Sequence, residues 1–204
     1  MGSQGSPDDR NALRLLIAFG VIWIGLAIAP FDRAVWALEH GLTVLAVGLL
    51  ALTRSRLRFS DPALALIALF LVLHAIGAHF TYARVPIGEW LTAPFPQWSR
   101  NPYDRCVHLA YGLLVTPAVI ELLAERAPPR RAWRFLLPVL FVAGTAAIYE
   151  VLEALALEWV DASAGERFLA TQGDHWDAQW DLALAILGSI VTVAWMRGRP
   201  FAAR

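Results

Sequence analysis

Long apolar blocks alternate with short polar segments along this chain, and each block is about 20 residues long. A helix of that length crosses ~30 Å of hydrocarbon, because each residue adds ~1.5 Å. The pattern therefore predicts an all-α, polytopic membrane bundle of about six transmembrane helices. The predicted spans are residues 12–30, 34–53, 62–82, 104–124, 134–158 and 178–197. They form a single transmembrane domain, 12–197, between a polar N-terminus, 1–11, and a short tail, 198–204.

Proline and aspartate positions refine two of these spans. Asp61 is expected to cap the third span, and Pro62 suits the first position of a helix. Pro117 lies inside the fourth span and is expected to kink it, because proline lacks the backbone N–H that bonds one turn back. No small-residue cleavage site follows the first apolar block, so we expect that block to remain as a helix.

The arginines are divided unequally between the two ends of the predicted helices. One side of the membrane receives twelve: Arg10, Arg14, Arg54, Arg56, Arg58, Arg126, Arg130, Arg131, Arg134, Arg197, Arg199 and Arg204. The other side receives five: Arg33, Arg84, Arg100, Arg105 and Arg167. Because basic loops stay in the cytoplasm, this division predicts that both termini are cytoplasmic. Two longer loops, about 83–103 and 159–177, then lie outside.

Composition supports the membrane interpretation and excludes some other classes. Hydrophobic residues make up 58% of the chain, against ~45–50% in a soluble domain. The 17 basic and 17 acidic residues cancel, so no basic surface for nucleic acid is predicted. A single cysteine, Cys106, excludes an internal disulfide and a multi-cysteine zinc site.

Ionisable residues on five of the predicted helices fall in the same, outer half of the bundle. They are Glu39, His40, His74, His79, Asp104, His108, Glu150, Glu153, Asp174, Asp177 and Asp181. The inner half carries little beyond Glu121. A charged side chain costs ~2.5–3.5 kcal/mol at the centre of a membrane helix, so such residues usually line a cavity and find partners. The pattern therefore predicts a polar site near the outer face.

Helical spacing places several of these residues on common faces. Positions three or four apart share a face, and the sets of this kind are Asp104 with His108, Glu150 with Glu153, and Asp174 with Asp177 and Asp181 if the last helix extends that far back. His74 and His79 are five apart, so we expect at most one of them in the site.

Some of these residues also have an ordinary structural interpretation. Asp104 and Asp174 can cap helices. Others can be interfacial, solvated or hydrogen-bonded between helices, and this group comprises Glu39, His40, His79, Tyr82, His175 and Asp177. Four residues lie deeper in their helices than a cap requires, and we predict that they are functional: His108, Glu150, Glu153 and Asp181.

Four segments of the chain resemble the YjdF-like family of bacterial inner-membrane proteins, which is defined by a domain of unknown function. They are HAIGAHFTYARVPIG at 74–88, RNPYDRCVHLAYG at 100–112, IYEVLEA at 148–154 and TQGDHWDAQWD at 171–181. The resemblance implies a multi-pass protein of the bacterial inner membrane. A more distant resemblance is to VanZ-like membrane proteins, which have an Asp-x-x-x-His opening one helix and an Asp before a glycine-containing final helix. Here those positions are Asp104, His108, Asp181 and Gly188.

The leading functional hypothesis is a metal-assisted hydrolase or transferase that acts on a lipid or lipid-linked substrate at the outer leaflet. Histidine and carboxylate ligands suit Zn or Mn, and the predicted ligands are His74, His108, Glu153, Asp177 and Asp181. Asp104 and Glu150 are the predicted catalytic groups, because a remaining carboxylate can act as a base on bound water. Arg100 and Arg105 are predicted to hold a lipid phosphate.

Two alternatives stay open on the sequence. Buried His and Glu side chains can relay protons in a small carrier, although the polar residues stop in one half and no inverted repeat is visible. The cluster can also join helices in a non-catalytic accessory protein, although so many acids repel one another unless a cation lies between them.

Overall fold

The computed structural model describes residues 7–95, 97, 100–128, 130, 132–156 and 171–197, with only the backbone for 7–9. All regular structure in these ranges is helical. The helices are α1 (Pro7–Leu26), α2 (Arg33–Thr53), α3 (Asp61–His79), α4 (Pro86–Thr92), α5 (Tyr103–Arg126), α6 (Trp133–Ala156) and α7 (Asp177–Met196). The predicted all-α class is confirmed.

The observed helices match the six predicted spans, with two differences. α1 begins and ends earlier than predicted, and α3 ends at His79 because Thr81 and Tyr82 both adopt left-handed backbone conformations with φ of 53°. The short helix α4 lies in the loop that we predicted between the third and fourth spans. The predicted extracellular loop 159–177 and tail 198–204 lie largely outside the described residues.

Five of the described helices are long and apolar enough to cross a membrane: α2, α3, α5, α6 and α7. The exposure pattern agrees, because Leu52 is 82% exposed whereas Glu39 is 2% exposed. A soluble protein has the opposite arrangement. α1 carries charged residues in its first turns and is not among the five, so the count of six spans and the position of the termini remain predictions.

The bundle consists of two groups of helices that meet at α3 and α5. α1 and α2 pack against α3, while α6 and α7 pack against each other and against α5. The most extensive packing is between α5 and α7. α5 is therefore the central helix of the fold, and the residues on its faces contact both groups.

Small residues let α5 and α7 approach closely. A Cβ atom added at Gly112 would lie 2.7 Å from the backbone nitrogen of Ser189, and one at Gly188 would lie 2.8 Å from the nitrogen of Leu113. Carbonyl oxygens of the facing helix are nearer still. Beside this crossing, the hydroxyl of Thr116 donates to that of Ser189 over 2.9 Å. Close helix contact through small residues is a common means of association in membranes.

Pro117 lies inside α5 as predicted, and α7 compensates for the hydrogen bond that it removes. Proline has no N–H to bond the carbonyl four residues earlier, which is that of Leu113. The hydroxyl of Thr192 on α7 donates to this carbonyl over 3.0 Å. In lipid, a backbone carbonyl without a partner costs several kcal/mol. The bond from Thr192 therefore satisfies this carbonyl and stabilises the packing of α7 on α5.

The start of α3 corrects one expectation. Ser60, and not Asp61, is the N-cap, and its hydroxyl accepts from the backbone N–H of Ala63 over 3.3 Å. The same hydroxyl donates to Glu121 of α5 over 2.5 Å. Pro62 occupies the first turn as predicted. Glu121 thus has a structural partner at the end of the bundle opposite the acidic cluster.

Candidate functional site

A polar cavity of about 390 Å³ lies at one end of the bundle, where α2, α5, α6 and α7 meet. Seven carboxyl groups line it: Glu39, Asp104, Glu150, Glu153, Asp174, Asp177 and Asp181. His108, Tyr82 and the loop 171–175 complete its wall. The antiparallel order of the helices brings these residues to one end, as the sequence predicted.

Asp104, His108 and Asp181 form the centre of this cavity. Each offers a ligand atom, and the three atoms lie within 4.8 Å of one another. Asp104 and His108 lie one turn apart on α5, and Asp181 faces them from α7 because Gly112 and Gly188 bring the two helices together. Metal bonds of ~2.0–2.2 Å to N and O put two ligands at most ~4.4 Å apart, so a shift of a few tenths of an ångström would let them share one ion.

Distances around His108 are too long for hydrogen bonds. Its Nε2 atom lies 3.6 Å from Oδ1 of Asp104 and 3.7 Å from Oε1 of Glu150. Two ligands held at ~2.1 Å from a tetrahedral ion are separated by ~3.4 Å, which is close to these distances. Oε1 of Glu150 and Oδ1 of Asp181 are buried without a hydrogen-bond partner among the described residues. A buried polar atom without a hydrogen-bond partner destabilises the folded protein unless a water or an ion binds it.

Two arginines neutralise part of the acidic charge. Nη2 of Arg100 lies 3.1 Å from Oδ2 of Asp104 and 2.5 Å from Oδ1 of Asp177. Nη1 of the same guanidinium donates to the carbonyl of Thr171 over 2.6 Å. The guanidinium of Arg105 pairs with Asp174. Both arginines, predicted to hold a phosphate, are therefore already paired with carboxylates.

Two hydrogen bonds join the loop before α7 to the segment before α5, between the side-chain amide of Gln172 and the backbone of Asn101. Oε1 of Gln172 accepts from the backbone N–H of Asn101 over 2.8 Å, and its Nε2 donates to the Asn101 carbonyl over 3.2 Å. Gln172 and Gly173 have φ of 51° and 84°, which lets the loop turn at this point. The TQG residues of the 171–181 segment thus fix the edge of the polar cavity.

Asp174 ends this loop, and hydrogen bonds favour its ionised form. The backbone N–H of Trp176 donates to Oδ1 of Asp174 over 2.9 Å. This bond, together with the guanidinium of Arg105, holds the pKa of Asp174 below its usual value. The carboxylate therefore stabilises the turn before α7 and pairs with Arg105. The N-cap of α7 is Trp176, so the expected capping role of Asp174 is wrong.

His74 does not belong to the set of three ligand atoms, and both of its ring nitrogens have other partners. Its Nε2 faces the backbone carbonyl of Glu39 at 3.2 Å, which can only accept, so Nε2 carries the proton. Its Nδ1 accepts from the hydroxyl of Tyr82 over 2.6 Å. Burial raises the pKa of the Tyr82 phenol well above its usual value, so that the hydroxyl remains a donor. The predicted metal role of His74 gains no support from this arrangement.

The positions of the other predicted residues vary. Glu153 is half-buried and lines the polar cavity, and Asp177 is buried against Arg100. Asp104, which we predicted as a catalytic group, lies with the ligand candidates. His79 hydrogen-bonds across to the carbonyl of Leu26 over 2.7 Å, so it joins α3 to α1.

Sequence reasoning missed several residues that hold the site. The phenol of Tyr149 donates to Oε2 of Glu39 over 2.8 Å and forms a polar link between α6 and α2. The side chain of Asn101 donates to the carbonyl of Val85 over 3.0 Å and accepts from the backbone N–H of Tyr103 over 3.0 Å. Asn101 could have been noticed, because Asn-Pro before an apolar block is a common helix-start signal.

The fold and the cavity define a multi-helix membrane protein with a buried site of histidine and carboxylate side chains. Residues 11–200 match a family model described as "Predicted membrane protein (DUF2238)", and the chain belongs to this family. It is 32% identical over 199 residues to the inner membrane protein YjdF of Escherichia coli (strain K12), which covers 93% of this chain and 90% of that relative. No solved structure matches the chain. These findings confirm the YjdF-like resemblance and the predicted membrane location.

Proposed function

We propose that this protein binds a divalent metal ion through Asp104, His108 and Asp181, and uses it to act on a lipid or lipid-linked substrate in the bacterial inner membrane. The observation that carries the proposal is the set of three ligand atoms within 4.8 Å, supplied by two helices that small residues hold close together. Two carboxylates and one imidazole suit Zn or Mn.

Charge balance supports a cation at this position. Seven carboxyl groups line the polar cavity, and two guanidinium groups contact three of them. Buried like charges repel strongly, and a bound divalent ion is the kind of charge that compensates them. The partnerless oxygen of Asp181 is consistent with a ligand that an ion stabilises.

Glu150 is the group best placed to act as a base. Its Oε1 lies 3.7 Å from the imidazole of His108 and has no hydrogen-bond partner among the described residues. A divalent ion held by Asp104, His108 and Asp181 would supply Lewis-acid chemistry at this position, and the Glu150 carboxylate would be placed to accept a proton from water during hydrolysis of an ester or phosphoester. Arg100 and Arg105 orient the surrounding carboxylates of Asp104, Asp177 and Asp174.

The two alternatives gain less support. A proton carrier needs polar groups along the whole path, whereas the acidic cluster stays at one end and Glu121, at the other, is bonded to Ser60. A purely structural cluster is expected to satisfy its polar atoms, as Tyr111 and Thr145 do over 2.6 Å between α5 and α6. In the polar cavity, by contrast, some carboxylate oxygens have no hydrogen-bond partner among the described residues.

The test is the metal content of purified protein in lipid nanodiscs after equilibration with Zn or Mn and removal of free ion. We expect about one ion per chain, a melting temperature that falls on chelation, and loss of both effects in Asp181→Asn and His108→Ala. Binding to the native state alone stabilises by ~2.7 kcal/mol at a hundredfold excess over the dissociation constant. Glu89→Gln is the matched control, since Glu89 is exposed and does not line the cavity. Folded wild-type protein that holds no ion and melts equally with and without chelator would refute the proposal.

A further inference from the structure

An apolar groove of about 330 Å³ adjoins the polar cavity. One wall is formed by α2, with Leu45, Ala46 and Leu49, and the other by α6, with Ile148 and Leu152. α3 and α5 form its floor. The wall residues recur at helical spacing along about two turns of each helix, so the groove runs along the bundle rather than across it.

The groove and the polar cavity meet at shared residues. Tyr82 and His108 line both of them. Tyr149 lines the groove, and its phenol bonds to Glu39, which lines the polar cavity. The apolar groove therefore ends at the ion site proposed above, and an elongated molecule in the groove would place its end beside His108.

The groove opens to the surroundings of the bundle. Leu45 and Leu49 are 55% and 52% exposed, and both belong to a helix of membrane-spanning length. The medium that reaches such positions is hydrocarbon. The volume falls in the ~300–1,000 Å³ range of ligand pockets, and the walls are mainly apolar, as in pockets that bury a hydrophobic ligand.

We propose that the groove binds one hydrocarbon chain of a membrane lipid, with the head group of that lipid in the polar cavity beside His108. This inference rests on the proposed function, which it extends by naming the site that holds the hydrocarbon chain of the lipid and the path by which the lipid enters. A lipid can enter sideways between α2 and α6 without leaving the membrane. Its polar head then meets the ion, while the chain stays in an apolar environment and does not cross the acidic end.

The experiment uses phosphatidylglycerol with a mid-chain diazirine on one acyl chain, mixed into nanodiscs of unlabelled phosphatidylglycerol and phosphatidylethanolamine. After irradiation, mass spectrometry of peptides locates the attached label. We expect preferential labelling of the α2 and α6 walls around Leu49 and Leu152. Ala46→Trp should fill the groove and reduce that labelling about tenfold, which corresponds to ~1.4 kcal/mol of binding.

Val44→Trp is the matched control, because Val44 is 59% exposed on the same helix and does not line the groove. It should leave groove labelling unchanged. Labelling spread evenly over exposed positions, or equal in Ala46→Trp and Val44→Trp, would overturn the proposal. The proposal would also be overturned if the wild type showed no groove label and Ala46→Trp dissociated a dimer, because a second copy of the chain would then cover the groove.

Metal content, measured on the same samples, separates this proposal from the proposed function. Ala46→Trp should keep the ion of the wild type, because Ala46 does not line the polar cavity. Groove labelling that persists in Asp181→Asn, without an ion, supports chain binding even if the metal proposal fails. Full metal content together with unspecific labelling refutes the lipid groove and leaves the metal site intact.

Discussion

Replacing Gly188 by alanine should separate the two helices that form the central site. The added Cβ would lie 2.8 Å from the backbone nitrogen of Leu113, whereas ordinary contact begins at 3.4 Å. The obstacle is backbone, so a rotamer change cannot relieve it, and α7 must move away from α5 by about 0.6 Å or more. Over-packing of this kind costs ~1–3 kcal/mol.

The displacement should also weaken metal binding, because Asp181 lies on α7 while Asp104 and His108 lie on α5. Metal–ligand distances lie within about 0.2 Å of their usual values, so moving α7 farther from α5 makes it harder for the three ligands to reach one ion. The assays are thermal unfolding in nanodiscs and metal content after equilibration with Zn or Mn. We expect Gly188→Ala to lower both the melting temperature and the bound metal.

Gly144→Ala is the control for helix propensity. No atom lies within 4 Å of a Cβ added at Gly144 on α6, and alanine stabilises a helix by ~0.5–1 kcal/mol relative to glycine. The control should therefore be neutral or stabilising and keep the metal. If Gly188→Ala behaves like Gly144→Ala in both assays, then the close crossing does not position the site.

Three further predictions concern other contacts. Tyr149→Phe removes the bond to buried Glu39 and should lower the free energy of unfolding by ~1–3 kcal/mol; an unchanged denaturation midpoint would contradict this. Asp174 has a lowered pKa, so its contribution to stability is present at neutral pH and lost as the pH falls below about 4. Asp174→Asn should therefore be less stable than wild type at pH 7, and the difference should shrink as the pH is lowered into the acid range; a difference that does not change with pH would argue against a stabilising role of the ionised carboxylate. Reporter fusions after residues 57 and 130 should report the cytoplasm, and one after residue 95 the outside; a periplasmic signal at 130 would reverse the proposed topology.

The helices were predictable because their signal is local. Apolar length identified the spans, and the periodicity of carboxylates and histidines identified one polar end. The end of α3 was harder to predict, since the left-handed conformations of Thr81 and Tyr82 depend on the fit of the Tyr82 ring over Gly77. A one-dimensional pattern does not contain that contact.

The grouping of the site residues depended on packing that the sequence did not reveal. His74 and His108 have the same chemistry, yet His74 is held by Tyr82 and Glu39, while His108 faces Asp104 and Asp181. The sequence could not rank them, because the difference comes from which helices touch. The glycines at the crossing of α5 and α7 determine that contact. In the sequence, Gly188 entered only through a family resemblance and Gly112 only as the end of the 100–112 segment, and neither indicated a contact between helices.

The bond between Thr192 and the Leu113 carbonyl has a consequence for biogenesis. When α5 enters the membrane during synthesis, Pro117 leaves this carbonyl without its helical partner until α7 has been made. Until then the inserted chain lacks a partner for this carbonyl and lacks the carboxylates that α7 adds to the polar cavity. Insertion of α7 supplies both. A chain truncated before α7 should therefore be less stable in the membrane than the full chain, because it lacks both this bond and the packing of α7 on α5.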